Sequence, residues 1–116
     1  MIFVGVCGGR KYQGRETVAR AIASLSQLTQ ARLIIVHGDA PGADQLADQA
    51  ARKLRLDVVR VLALWTEYGK AAGMRRNAIV AELPLRYLLA FPGGVGTAGM
   101  VRLARAKGIE VIEVAA

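Results

Sequence analysis

Tyr87-Leu88-Leu89-Ala90-Phe91-Pro92-Gly93-Gly94-Val95-Gly96-Thr97 joins an apolar run to a glycine-rich turn. Residues 87–91 read as a buried strand. Met100, Val101 and Ala104 continue at helical spacing, with Thr97 at the expected N-cap. A glycine-rich loop thus links a strand to a helix start. Small residues let the backbone turn sharply and let a ligand come close. The helix start offers free N–H groups and the positive end of its dipole, which suits a phosphate or carboxylate. A plain βα turn with nothing bound fits this stretch equally well, so the rest of the chain has to decide.

The flanking chain repeats the same alternation. Ile2–Cys7 reads as a first strand, ended by Gly8-Gly9-Arg10. Val18, Ile22, Leu25 and Leu28 mark a helix over 15–29. Leu33–Val36 is a second buried strand, followed by the loop His37-Gly38-Asp39-Ala40-Pro41-Gly42-Ala43-Asp44. Ala43, Leu46, Ala47, Ala50 and Leu54 mark the second helix, and Val58–Leu62 the third strand. Trp65 to Gly73 is irregular, and Met74–Leu83 is a third helix with Arg75, Arg76 and Asn77 near its start. After the fourth strand and fourth helix, Gly108 is a C-cap and Glu110–Val114 the fifth strand.

This alternation predicts an α/β fold with a parallel sheet and right-handed crossovers. Five strands suit the order 3-2-1-4-5, in which the chain reverses direction between strands one and four. Ligands of open α/β sheets bind at that switch point, beyond the carboxyl ends of the strands. Gly8-Gly9-Arg10 and Pro92-Gly93-Gly94 are expected to face each other there, with the strand-two loop beside them.

The length of 116 residues predicts one domain, large enough for an ordinary core. The composition, 53% hydrophobic, excludes disorder. No apolar run approaches the ~18 residues of a membrane span. Met1-Ile2-Phe3-Val4 reads as strand and not as a cleaved leader, so the expected location is cytoplasmic. One Cys and one His exclude a disulfide framework and a Cys/His metal cluster. No cofactor is expected. The net charge of +7 suits an anionic small ligand or a nucleic acid. Three Tyr, two Phe and one Trp are few stacking platforms for a single-strand binder.

Arg10, at a strand end after two glycines, is placed to clamp a phosphate in a bidentate fork. Asp39 and Asp44 bracket Pro41-Gly42. Asp44 is either a helix cap or, like Asp39, a carboxylate for ribose hydroxyls or acid–base work. His37, ending strand two, reads as structural before catalytic. Adjacent Arg75 and Arg76 point about 100° apart on a helix, so one of them reaches the crevice. Trp65 and Tyr68 fit either base stacking or core packing. Cys7 reads as a small buried hydrophobe.

Together these stretches resemble the SLOG superfamily, named for its DNA-processing and lonely-guy members, and most of all its small YspA-like branch. The resemblance rests on Gly8-Gly9-Arg10, His37 to Asp44, Trp65-x-x-Tyr68-Gly69-Lys70-Ala71-Ala72-Gly73-x-Arg75-Arg76-Asn77, and Phe91-Pro92-Gly93-Gly94-x-Gly96-Thr97, in that order. It implies a Rossmann-like three-layer nucleotide-binding fold with helices on both faces, and, as relatives commonly pair, a homodimer. Apolar Ala78, Ile79 and Leu83 on the third helix suit such pairing. The site residues it implies are Gly8, Gly9, Arg10, Gly38, Asp39, Ala40, Gly42, Asp44, Arg75, Arg76, Asn77, Pro92, Gly93, Gly94, Gly96 and Thr97. The superfamily's phosphoribohydrolases carry Pro-Gly-Gly-x-Gly-Thr-x-x-Glu, and here that Glu position is Met100. A thioether is neither an acid nor a base. The first expectation is therefore binding of a nucleotide or nucleotide-derived signal. The alternatives are N-glycosidic cleavage of nucleoside monophosphates, with Asp39, Asp44 and Arg75 as candidate catalytic residues and Glu67 as a further substitute carboxylate, and single-stranded nucleic-acid binding.

Overall fold

The computed structural model describes residues 1–115. Its elements are β1 (Ile2–Cys7), α1 (Arg15–Thr29), β2 (Leu33–His37), α2 (Ala43–Lys53), β3 (Asp57–Arg60), a single-turn α3 (Trp65–Tyr68), α4 (Ala72–Glu82), β4 (Leu85–Ala90), α5 (Val95–Ala106) and β5 (Glu110–Glu113). All strand pairings are parallel, in the order β3-β2-β1-β4-β5. The fold is thus the α/β arrangement expected.

Alternation along each strand divides the core in two, because successive side chains point to opposite faces. Val4, Val6, Leu33, Ile35, Leu89 and Phe91 pack under α1 and α2. Val36, Leu85, Leu88 and Ala90 pack under α4 and α5, with Met100, Val101 and Ala104. Helices therefore cover both faces of a sheet whose middle strands are buried runs. On α1, Val18, Ile22 and Leu25 are buried, but Leu28 is 78% exposed. At 3.6 residues per turn Leu28 lies roughly 90° round from the centre of the other three. It is not part of the core stripe.

Three expectations need correction. The stretch before α4 is not irregular: α3 is followed by a 3₁₀ turn at Gly69–Ala71, and α4 begins at Ala72, two residues earlier than expected. α5 begins at Val95 with Gly94 as N-cap, so Thr97 lies in its first turn and caps nothing. β3 spans residues 57–60 and leaves Leu62 exposed beyond its end.

Leu88 is fully buried in β4 at the centre of the α4/α5 core. Leu88→Ala is expected to cost about 2–5 kcal/mol, as cavity-forming leucine truncations do. Urea unfolding followed by circular dichroism measures it, and a loss under about 1 kcal/mol would mean that this core re-closes.

Candidate functional site

A cleft of about 400 Å³ opens at the carboxyl ends of β1 and β4. This is the switch point, where the order 3-2-1-4-5 sends the chain in opposite directions. Backbone hydrogen bonds clamp the loops around it. Gly9 N–H donates to the Pro92 carbonyl at 2.8 Å, Phe91 N–H to Cys7 at 2.9 Å, and Ala43 N–H to Gly9 at 3.2 Å. Gly42 has φ of +81°, and a Cβ there would strike the Gly9 carbonyl and the Arg10 backbone. Its glycine is required both for conformation and for the close approach.

The loop after β2 forms one wall. Asp44 does not cap α2; it lies in the helix's first turn and reaches back to the loop. Its Oδ2 accepts the Gly38 N–H at 3.0 Å and the Ala40 N–H at 3.3 Å. Between them, Asp39 N–H donates to His37 Nδ1 at 2.8 Å. The Gly38 carbonyl accepts Arg76 Nη1 at 3.1 Å. The Arg76 guanidinium lies where a Gly38 Cβ would stand, which explains the glycine. Arg76 Nε donates to Asn77 Oδ1 at 3.0 Å, and Asn77 Nδ2 to the Gly96 carbonyl at 3.4 Å. A polar chain thus crosses the cleft floor from α2 through β2 and α4 to α5.

The opposite wall is the start of α5. Gly94, Gly96 and Thr97 line it, and a Cβ at Gly94 or Gly96 would meet open space. Among the described residues, the N–H groups of Val95, Gly96 and Thr97 have no partner. Gly8, Gly9 and Arg10 line the cleft on the β1 side, and the Arg10 guanidinium lies 5.8 Å from the Trp65 ring centre. That is cation–π range.

Of the expected residues, Gly8, Gly9, Arg10, Gly38, Ala40, Asp44, Arg76, Asn77, Gly94, Gly96 and Thr97 come together here. Five do not. Asp39, at φ of +56°, is tied by its backbone to His37 and does not line the cleft. Gly42 is buried against the Arg10 turn. Arg75 stacks over Tyr68 at 4.2 Å and faces away, which decides between the two arginines. Pro92 and Gly93 line a separate groove of about 580 Å³ on the other flank of α5.

Lys70 and Met74 line the cleft without having been singled out. Their signal was helical spacing: Lys70, Gly73, Met74 and Asn77 recur at i, i+3, i+4 and i+7. It is visible only once the helix is taken to continue back through the 3₁₀ turn.

Electrostatics sort the titratable groups. Burial pushes the Asp44 carboxyl above its ordinary value, against the pull of the Ala40 and Gly38 N–H groups. Burial, with Asp44 nearby, pushes the Cys7 thiol up to about 12, so it stays protonated and is no nucleophile. His37 is buried and structural. Its Nδ1 accepts from Asp39, which leaves the ring proton on Nε2 to donate to Asp48 Oδ2 at 2.7 Å. Asp48 also holds Arg52, and Arg60 at 3.2 Å. Burial opposes the Asp48 charge, but the hydrogen bonds from Arg52, His37 and Arg60 outweigh it and hold the carboxyl down at about 2. Among the described residues, no cluster of His, Cys, Asp and Glu could hold a metal ion. Nor is any helix long and apolar enough to cross a membrane.

A sequence model of the YspA, cpYpsA-related SLOG family matches residues 3–68. The chain is 37% identical over 114 residues to the Gene 61 protein of Mycobacterium phage D29, covering 92% of this chain and 91% of that protein. Among solved structures, DNA processing protein A (DprA) from Streptococcus pneumoniae matches with a TM-score of 0.77 at 21% identity, covering 97% of this chain. This chain spans only 50% of that protein's length. The protein TM1055 matches with a TM-score of 0.74 at 21% identity, covering 96% of this chain and 72% of that one. At such identity the two structures show a shared Rossmann-like fold alone.

The Asp48 network predicts a pH signature. With its folded pKa below the ordinary ~4, Asp48 stabilises the protein fully above about pH 4 and loses that contribution as pH falls toward 2. Asp48→Asn should cost about 1–3 kcal/mol at pH 7. It should also flatten the fall of melting temperature in that acid window. Parallel melting curves for the two proteins would rule the network out as a stabiliser.

Proposed function

Because the chain belongs to the YspA, cpYpsA-related SLOG family, we propose that it binds a nucleotide or nucleotide-derived ligand in the cleft at the switch point. The observation that carries this reading is the start of α5. Among the described residues, the N–H groups of Gly96 and Thr97 are unpartnered at a helix start that lines the cleft beside Arg10, Lys70 and Arg76. That is an anion site with side-chain charge behind it. Trp65 is half exposed at the same cleft and offers a flat face for a base. A volume of 400 Å³ lies toward the small end of ligand pockets, roughly 300–1,000 Å³. It favours one nucleotide over a dinucleotide.

The reading is of binding without turnover. Met100 is 2% exposed, packed in the α4/α5 core while flooring the cleft. It offers no proton at the position where the resembling hydrolases carry Glu. Asp44 is the one carboxylate among the described lining residues, and its Oδ2 is committed to the loop backbone.

We further propose a homodimer. Met74 and Ile79 on α4 are 76% and 55% exposed, and Ala78 is exposed beside them. Leu83 is half-buried against the α4/α5 core and does not contribute. Light scattering at about tens of micromolar should give twice the 12.4 kDa chain mass. A monomer there overturns the pairing.

Calorimetry with a panel of nucleoside 5′-monophosphates tests the binding. Arg10→Ala and Arg76→Ala should each weaken it by about 1–3 kcal/mol, whereas Arg75→Ala should leave it unchanged. Affinity that instead rises with oligonucleotide length and falls steeply with salt would favour nucleic acid. Release of free base from the panel should be negligible, since lost acid–base assistance costs about 10²–10⁴ in rate. Robust release would replace the binding reading with N-glycosidic cleavage.

A further inference from the structure

The two walls of the cleft offer opposite groups to a ligand. On the β2 side the three successive N–H groups of Gly38, Asp39 and Ala40 are all consumed, by Asp44, His37 and Asp44 again. Among the described residues, loop 38–40 thus has no N–H left for a phosphate. That wall presents an acceptor instead. Asp44 is 94% buried by its 6% exposure, lines the cleft, and uses only Oδ2 within the protein. Among the described residues, Oδ1 makes no hydrogen bond. The donors lie across the cleft, on the first turn of α5. A bound nucleotide is therefore oriented with its phosphate at α5 and its own donors at Asp44.

Resting on the nucleotide reading above, we propose that Asp44 is the specificity-determining residue of the cleft. Its Oδ1 accepts the 2′- and 3′-hydroxyls of a ribose, so that the site takes ribonucleotides and rejects 2′-deoxyribonucleotides. The chemistry selects a diol over other donors. A carboxylate oxygen has two lone pairs and can take both hydroxyls of a vicinal pair. A cationic donor is disfavoured, because the Arg76 guanidinium already sits at the carbonyl of Gly38, the residue whose N–H Asp44 accepts. Adenine, cytosine and uracil edges set an acceptor beside each donor; a guanine edge, with N1–H beside its N2 amine, is the competing occupant, and in that mode GMP and dGMP would bind alike. Trp65 is 49% exposed and Asp44 nearly covered, so the base belongs at the mouth and the sugar deeper in. Burial also raises the Asp44 carboxyl above its ordinary value, so the free site carries an under-satisfied acceptor that a ligand hydroxyl relieves.

The test is calorimetry on the whole chain, with each of the four common ribonucleoside 5′-monophosphates beside its 2′-deoxy counterpart. A site built to bond a hydroxyl rejects the analogue that lacks it. We expect a ribose preference of at least about tenfold, the loss of one charge-assisted hydrogen bond. Asp44→Asn keeps an oxygen for the Gly38 and Ala40 N–H groups but turns an NH₂ toward the cleft. It should shrink the preference below about threefold. Inorganic phosphate affinity should be the same in both proteins. Equal affinity of the wild type for ribo and deoxy ligands overturns the proposal, and so does a folded Asp44→Asn that keeps the preference. Should Asp44→Asn fail to fold, AMP against 2′-fluoro-2′-deoxy-AMP on the wild type decides. Fluorine keeps the polarity but cannot donate, so equal binding overturns the proposal and weaker binding of the fluoro ligand supports it. Absence of binding by every nucleotide overturns the nucleotide reading itself, and with it this one.

Discussion

The carboxyl end of the sheet depends on the backbone of one residue. Gly38 gives its N–H to Asp44 and takes a hydrogen bond from Arg76 at its carbonyl. A buried acid on α2 and a cation on α4 are thereby bridged through the backbone of one residue, its N–H on one side and its carbonyl on the other. Hydrogen bonds to charged groups contribute about 1.5–3 kcal/mol each. The pair matters more than its sum, because α2 and α4 lie on opposite faces of the sheet. Gly38 ties them through its N–H and its carbonyl. Arg76 then passes the constraint to Asn77, and Asn77 to Gly96 at the start of α5.

The rest of the rim is held by backbone alone. The first loop is pinned to the fourth-strand loop through Gly9 and Pro92, and to α2 through Gly9 and Ala43. Side chains at Gly8, Gly9 or Gly42 would collide with these neighbours. So the glycines of the β1 and β2 loops serve mainly to bring loops together, whereas Gly94 and Gly96 leave space above a helix start. The same residue type does two jobs at one site, close approach of loops and open space at a helix start. A rim fixed before binding has already met the cost of ordering its loops, which leaves more of the interaction energy to appear as affinity.

That distinction marks how far the chain could be read without coordinates. Strand order and layering follow from buried runs such as Leu33–Val36 and from helical stripes such as Val18-Ile22-Leu25, because both report burial directly. Most of the site followed as well, since strand ends in this order converge. Helix starts did not. Thr97 is a good N-cap type, yet α5 is capped three residues earlier, by Gly94. Lys70 and Met74 stayed hidden because two glycines broke the pattern that a 3₁₀ turn carries through. The choice between Arg75 and Arg76 needed the tertiary fact that Tyr68 lies under Arg75. Asp44 as a loop staple was also out of reach, because a carboxylate in a helix's first turn serves a cap and a staple equally well.

The placement of the acid has a chemical consequence. In the resembling hydrolases a Glu stands three residues after the Thr of the glycine-rich loop, a position that falls on α5 of this chain. Here that helix carries Met100, which packs with Val36, Val80 and Leu88 and closes the cleft floor with sulfur and carbon. A carboxylate at that depth would need a partner, and Arg76 is already engaged by Gly38 and Asn77. It would also share the cleft with Asp44, and like charges in a small, partly dry cavity disfavour both ionised forms. The two acids are alternatives for one site. With the acid on α2, the α5 wall offers N–H donors and the β2 wall a carboxylate oxygen. That polarity suits holding a phosphorylated sugar in one orientation. It is poorly suited to delivering a proton at the glycosidic bond, because the single carboxylate is anchored by its Oδ2 to the loop it supports.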